Sequence, residues 1–228
     1  MPLGRRAFFG SFEFDLRPIL KFRLRAYSSG AALIKGGTTM SIEIRALGPA
    51  DAMLFVGLFD AMAFDHAREW KSCYCRYYQT ACDFDAWIKR TGAENRDDAL
   101  NAIRAQTMHG YVAIEDDRCV GWVNAGDCLD YVRLHDELSG YVGSGKIGLT
   151  ICFVIEPSHR NKGLARALLQ AAIDGFRSQG YDAAIALPVD RPMADERRYR
   201  GTMNMYREAG YIESERHDPV VVMRLELK

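Results

Sequence analysis

The stretch from Ile151 to Ala165 holds the residues best spaced for chemistry. The apolar run Leu149–Ile155 reads as a buried strand, and Pro157 breaks it. His159, Arg160, Asn161 and Lys162 then form a basic turn, and an amphipathic helix begins after Gly163. A helix start leaves its first backbone N–H groups without intrahelical partners, and its dipole favours negative charge. Set directly after a strand, it is an anion site, where Gly163 and the small Ala165 let backbone approach a pyrophosphate. Arg160 and Lys162 add positive charge. The bland alternative is an ordinary strand-to-helix turn with solvated bases, and the loop alone leaves both readings open.

Other patterns fail on context. Gly143-Ser144-Gly145-Lys146-Ile147-Gly148 fits G-x-G-x-x-G, and Gly140 through Lys146 supplies part of a P-loop. A dinucleotide loop opens a helix, yet a strand follows here, and Ile147 stands where a P-loop needs Ser or Thr. The segment reads as a flexible glycine-rich loop. His66, Cys73, Cys75 and Cys82 are zinc-ligand types, but C-x-C with long equal flanks fits no standard zinc spacing, so no metal is expected. Tyr74, Tyr77, Tyr78, Phe84 and Trp87 read as an aromatic wall near a binding site or as core. Trp122 reads as core and His159 as an exposed loop residue.

The elements that must position the loop follow from hydrophobic periodicity. Ile42, Ile44 and Leu47 mark a first strand, and Pro49-Ala50-Asp51 opens a helix carrying Met53 to Phe64. Residues 65–81 are aromatic and irregular; helices follow at about 83–90 and 95–108. Tyr111–Ile114 and Cys119–Val123 form a hairpin around the turn 115–118. After the strand Leu149–Ile155 come a helix Leu164–Phe176, a strand Asp182–Leu187 ended by Pro188, a helix at about 202–209, a short piece Tyr211–Ser214, and a strand Val220–Leu227. The order β-α-α-β-β-β-α-β-α-β means an α+β fold with a mixed central sheet flanked by helices.

In Arg160-x-x-Gly163-x-Ala165, in Tyr206-Arg207-Glu208-Ala209-Gly210-Tyr211 and in the element order, the chain resembles the GNAT family of acetyl-CoA-dependent N-acetyltransferases. That family's motifs are Q/R-x-x-G-x-G/A and Y-x-x-x-G-F/Y. Cys73-Tyr74-Cys75, Asn95-Arg96 and Val120-Gly121-Trp122 look like one bacterial-type branch of it, and the resemblance covers about residues 41–228. It implies a mostly antiparallel sheet in which strand 149–155 splays from its neighbour. It further implies that Phe153, Val154 and Ile155 meet the pantetheine arm of acetyl-CoA, with backbone of Phe153 and Ile155 pairing to it. Arg160, Asn161, Lys162, Gly163, Leu164 and Ala165 then hold the pyrophosphate.

The implied reaction is direct attack of a primary amine in a ternary complex, with a backbone N–H for the oxyanion. Tyr206 is the implied proton donor to the departing thiolate; a packed aromatic is its alternative. Glu115, Asp127 and Asp130 are candidate general bases, none preferred. Position 199 departs from the family: many members carry Asn there, and this chain has Tyr199. A non-enzymatic acyl-CoA-binding or sensor protein is the alternative function, and a zinc-stabilised interaction module a third. The acceptor is unidentified, and a homodimer is left open.

Composition sets the outer bounds. The 228 residues are 48% hydrophobic and 26% charged, with 30 basic against 30 acidic residues, so no electrostatic case for nucleic acid arises. No apolar run approaches the roughly 20 residues that span a bilayer, so no membrane partner is expected. Residues 1–40 hold seven Lys or Arg and two acids, whereas the remainder is net acidic. Residues 1–39 are therefore read as a leader or tail, from a mis-called start, an extension or a presequence, and 40–228 as the domain. The expected setting is cytoplasmic with free thiols, or mitochondrial if 1–39 is a presequence.

Overall fold

Apolar residues at successive positions, rather than alternate ones, fill the middle strands because helices cover both sheet faces. The structure is a computed structural model that describes residues 42–65, 67–135, 145–194 and 197–228. Residues 1–41, which include the expected leader or tail, His66 and the glycine-rich stretch before Gly145 lie outside the described residues. The strands are β1 (Glu43–Ala46), β2 (Gly110–Glu115), β3 (Arg118–Asp127), β4 (Ile147–Ile155), β5 (Ala183–Ala186), β6 (Ile212–His217) and β7 (Val220–Glu226). The helices are α1 (Ala52–Ala61), α2 (Phe84–Trp87), α3 (Gly92–Arg104), α4 (Leu164–Ser178) and α5 (Met203–Glu208).

The strands form one sheet ordered β1-β2-β3-β4-β5-β7-β6. Every pairing is antiparallel except β4 with β5. The mixed, mostly antiparallel α+β sheet expected from the sequence is the one observed. On one face, Phe55 and Phe59 of α1 and Ile103 of α3 pack with Val112, Trp122, Leu149 and Ile151. On the other, Leu168, Ala172, Ile173 and Phe176 of α4 pack with Ala113, Val123, Ala184 and Val221. Trp122 is wholly buried and meets Phe55 edge-on at 4.9 Å. Among the described residues no helix is long and apolar enough to cross a membrane.

Some bounds differ from the periodicity. Helix α3 begins at Gly92, not 95, because Thr91 caps it: Glu94 N–H donates to Thr91 Oγ1 at 3.2 Å, and Thr91 N–H donates to Glu94 Oε2 at 2.7 Å. It stops at Arg104. Strand β3 continues to Asp127, past a register shift between Val123 and Ala125. Strand β6 adds a seventh strand to the six in the expected order. All its residues are exposed, so it carries no apolar pattern to read; pairing with β7 alone defines it.

Helix α4 lies tight on the sheet. A Cβ on Gly148 of β4 would fall 2.6–2.7 Å from three ring carbons of Phe176. Phe176 is itself buried, so Gly148→Ala overpacks this contact. It should cost about 1–3 kcal/mol, read as a lower urea midpoint at unchanged slope.

Candidate functional site

Strand β4 pairs with β3 along most of its length, but with β5 only where Ile147–Thr150 face Ala183–Ala186. Pro188 follows soon after β5; it has no N–H to give a ladder, and the chain leaves to bridge Val189 with Val220. The second half of β4 is thus left without a strand on that side. Glu156 N–H donates to Val120 O at 3.0 Å. By antiparallel alternation the backbone groups of Phe153 and Ile155 then face the gap. Phe153 N–H donates to Tyr199 O at 2.7 Å, and Ile155 O accepts from Arg160 Nε at 3.1 Å.

The loop after β4 delivers the start of α4 to this gap. Gly163 is the N-cap at φ 83°, ψ −1°, a left-handed conformation that glycine adopts without strain, and no side chain caps the helix. Nothing lies within 4 Å of where a Gly163 Cβ would stand, so the site in front of the first turn is open. Asn161 is also left-handed, at φ 58°.

His159 overturns the expectation of an exposed loop residue. Its side chain is 11% exposed, with Nε2 2.9 Å from Glu115 Oε2 and Nδ1 2.9 Å from Glu156 Oε2. It ties the turn to the end of β2. Glu115 and Glu156 were the readable signal, but only the fold brings them together.

A cavity of about 220 Å³ joins the β4 edge to the helix start. Phe153, Val154, Ile155, Arg160, Asn161, Gly163, Leu164 and Ala165 line it, while Lys162 does not. The facing wall is Met62, Phe64 and Trp70 after α1, with Arg198, Tyr199, Gly201, Thr202 and Met205. The aromatic wall is therefore made by other residues than Tyr74, Tyr77, Tyr78, Phe84 and Trp87. Trp70 meets Tyr199 edge-on at 4.9 Å. Tyr74 packs in the core on Phe59, Tyr77 packs on Trp87, and Phe84 is 60% exposed. Short 3₁₀ turns at Arg68–Trp70 and Tyr77–Gln79 build this region, so no helical period marks its inward residues.

Tyr206 stands behind the wall. It is wholly buried, its hydroxyl donates to Arg200 O at 2.8 Å, and burial pushes its phenol well above the usual value. A Cβ on the wall residue Gly201 would lie 3.0 Å from the Tyr206 hydroxyl, so one backbone segment separates that oxygen from the cavity. Of the candidate bases, Asp127 pairs opposite Gly148, at the far end of β4, and Asp130 lies just beyond it. Glu115 is engaged by His159. Among the described residues no Asp or Glu lines the cavity, and no three His, Cys, Asp or Glu side chains converge as for a metal. All six cysteines are free.

An open strand edge leading to an uncapped helix start suits an extended ligand that ends in an anion. A sequence model of the acetyltransferase (GNAT) family matches residues 64–211. The chain belongs to the GNAT family of acetyltransferases. Among solved structures it is similar to yncA of Salmonella typhimurium, assigned as an acetyltransferase and solved with its cofactor acetyl-CoA. The two share 19% identity at a TM-score of 0.50, over 82% of this chain and 95% of that one. A protein of Acinetobacter baylyi assigned as an acetyltransferase shares 13% identity at a TM-score of 0.50, over 83% and 95%. These likenesses are of fold. No curated protein matches the sequence.

The segment behind the cavity wall is held by polar side chains. Asn95 Nδ2 donates to Ser72 O at 2.9 Å, and Asn124 Nδ2 to Cys75 O at 3.4 Å. Tyr74 and Cys75 are both left-handed, at φ 44° and 52°, a strained pair for residues bearing a Cβ. Tyr74 OH donates to Asp60 at 2.6 Å, and Arg96 pairs with the same carboxylate at 3.0 Å. Burial would raise the Asp60 carboxyl, but Arg96 and Tyr74 outweigh it and hold it below its usual value. A carboxyl depressed in the folded state adds stability above its unfolded pKa, about 3.9, and loses it as pH falls through the folded value. Asp60→Asn should therefore melt lower than the native protein at pH 7, with the gap narrowing below about pH 4, as followed by thermal melts across that range.

Proposed function

We propose that the protein transfers the acetyl group of acetyl-CoA to a primary amine by direct attack in a ternary complex. The observation that carries this reading is the single cavity running from the open edge of β4 to the left-handed Gly163 and the uncapped start of α4. Acetyl-CoA supplies an activated thioester. The first-turn N–H groups of α4 and Arg160 are placed to hold its diphosphate, and the open space at Gly163 suits close backbone approach. The N–H groups of Phe153 and Ile155 face where an extended arm and a developing oxyanion would lie. Phe153 serves only if the Tyr199 carbonyl gives way, so that segment is expected to shift when ligand enters.

An alkylammonium has a pKa of about 10.4, so it must lose a proton before attack. With no carboxylate lining the described cavity, that proton goes to water. Tyr206, kept protonated by burial, is the donor for the departing thiolate once the segment carrying Tyr199 and Gly201 shifts with ligand and its O–H turns from the Arg200 carbonyl. A cytoplasmic setting and a leader or tail over residues 1–39 complete the proposal; free thiols and the change of charge after residue 40 support them.

Acetyl-CoA at about 100 times its Kd should stabilise the fold by about 2.7 kcal/mol, a rise in Tm of about 5–10 °C for a chain of this size. Gly163→Val should abolish the rise and Arg160→Ala reduce it; the absence of a rise in the native protein would refute the cofactor site.

Tyr206→Phe should lower kcat by about 10²-fold, the low end for proton donation because a thiolate leaves readily, and should keep the acetyl-CoA-induced rise. The lost hydrogen bond also costs about 1 kcal/mol of stability. Native turnover in Tyr206→Phe returns the residue to a packing role, and acetyl-CoA binding without CoA release from any amine favours the binding-protein alternative.

A further inference from the structure

Beside the acceptor wall sits a cation with no acid. Arg200 donates through Nη2 to Tyr78 OH at 2.8 Å and through Nε to Tyr199 OH at 3.3 Å. The two phenols lie 3.2 Å apart, oxygen to oxygen. Among the described residues no carboxylate pairs with Arg200, whereas most other arginines of the fold have one.

Counting donors shows what the cluster lacks. A guanidinium has five N–H groups, and two are used here. Both phenol oxygens already accept from Arg200. One of the two phenol protons can serve the bond between the hydroxyls, and the other has no acceptor among the described residues. The cluster therefore has donors to spare and a fixed positive charge that no described carboxylate answers. It calls for an anionic oxygen.

Its place says whose oxygen. Tyr199 lines the cavity, its ring edge-on to Trp70, and its backbone carbonyl holds Phe153 N–H in the gap beside β4. The hydroxyl cluster thus stands one tyrosine side chain away from where acyl transfer is proposed. It is on the side of Trp70 rather than the Gly163 side that suits the diphosphate. The Tyr199 carbonyl at Phe153 and the Tyr199 hydroxyl in the cluster are one tyrosine side chain apart, so an acid group at the one and an amine at the other fit within a small molecule and need no long polyamine.

We propose that the acceptor is a small amine that also carries a carboxylate, with Tyr199 as the contact that recognises the acid and Arg200 and Tyr78 as the residues that charge and position it. The proposal rests on the transferase reading above and names the substrate class of that site. A planar guanidinium fork backing the hydroxyls matches a carboxylate in shape and sign.

The test is CoA release from acetyl-CoA with matched probes: α-amino acids, their carboxamides, and the amines left by their decarboxylation. The acids should be preferred by about 10- to 100-fold in kcat/KM, the worth of a hydrogen bond to a charged group, and the difference should sit in KM. In Arg200→Gln that preference ratio should collapse toward one, and Arg200→Lys should restore part of it. The acetyl-CoA-induced rise in Tm reports whether each variant is folded. Should Arg200→Gln fail that check, Tyr199→Phe, which keeps the ring and removes the O–H, should collapse the same ratio. Equal turnover of acids and amides by the native protein, or an undiminished ratio in the folded variants, overturns the proposal. Acetyl-CoA binding without CoA release from any acid probe overturns the acceptor assignment, and the same result with simple amines and polyamines as well overturns the transferase reading.

Discussion

Backbone polar groups removed from water must find partners, and the parting of β4 from β5 after Thr150 leaves such groups on one edge of a strand in the middle of the sheet. Two segments supply them, and both belong to the site. The Tyr199 carbonyl takes the Phe153 N–H, and the Arg160 guanidinium takes the Ile155 carbonyl. The basic turn and the segment 198–202 are thus anchored to the same open edge of β4, two residues apart. The cavity is the space left between them. A ligand pairing with this edge must replace at least one of these bonds, which makes the edge exchangeable by design of the ladder rather than by looseness of the fold.

The depth of α4 is fixed by absent side chains. Gly121 of β3 lies under the first turn of α4, where a Cβ would come within 3.0 Å of Leu164 Cδ2, and Gly148 lies under Phe176 near its end. Together they hold the helix low along its length, so its first turn opens level with the end of β4 instead of riding above it. His159 fixes the connecting turn laterally through Glu115 and Glu156. The open N–H groups at the start of α4 are therefore placed by Gly121, Gly148 and His159, all outside Arg160–Ala165.

Legibility followed the kind of force involved. The apolar runs of β4 and β5 and the amphipathic face of α4 report burial directly, and the sequence order of the elements that carry the site was readable from them. The turn Arg160–Ala165 was readable because left-handed glycine before a helix leaves a local mark. What local pattern does not encode was missed. Of the acids that hold His159, Glu156 is a neighbour in the same turn, but Glu115 is 44 residues away and is brought there only by strand register. Trp70 reaches the wall from a 3₁₀ turn, where no period sorts inward from outward residues. Tyr199 drew notice only as a departure from a family asparagine. Its carbonyl and its hydroxyl both act across the sheet, through partners at Phe153 and Tyr78.

Charge gives these placements a common sense. Arg160 lines the cavity beside Gly163 and Arg200 stands behind Tyr199 of the facing wall, and no described acid lines the space between. Such a site repels a bare ammonium and favours whatever lowers its charge. On the acceptor proposed above, the carboxylate draws the molecule in against Arg200, and its amine then lies in the field of the same guanidinium. A nearby cation disfavours a protonated amine and lowers its pKa. The residue that secures the acid would thus also help to release the proton that blocks attack, and a dedicated carboxylate base would be unnecessary. Placing one there would work against the site, because it would pair with Arg200 and cancel the charge that selects the substrate.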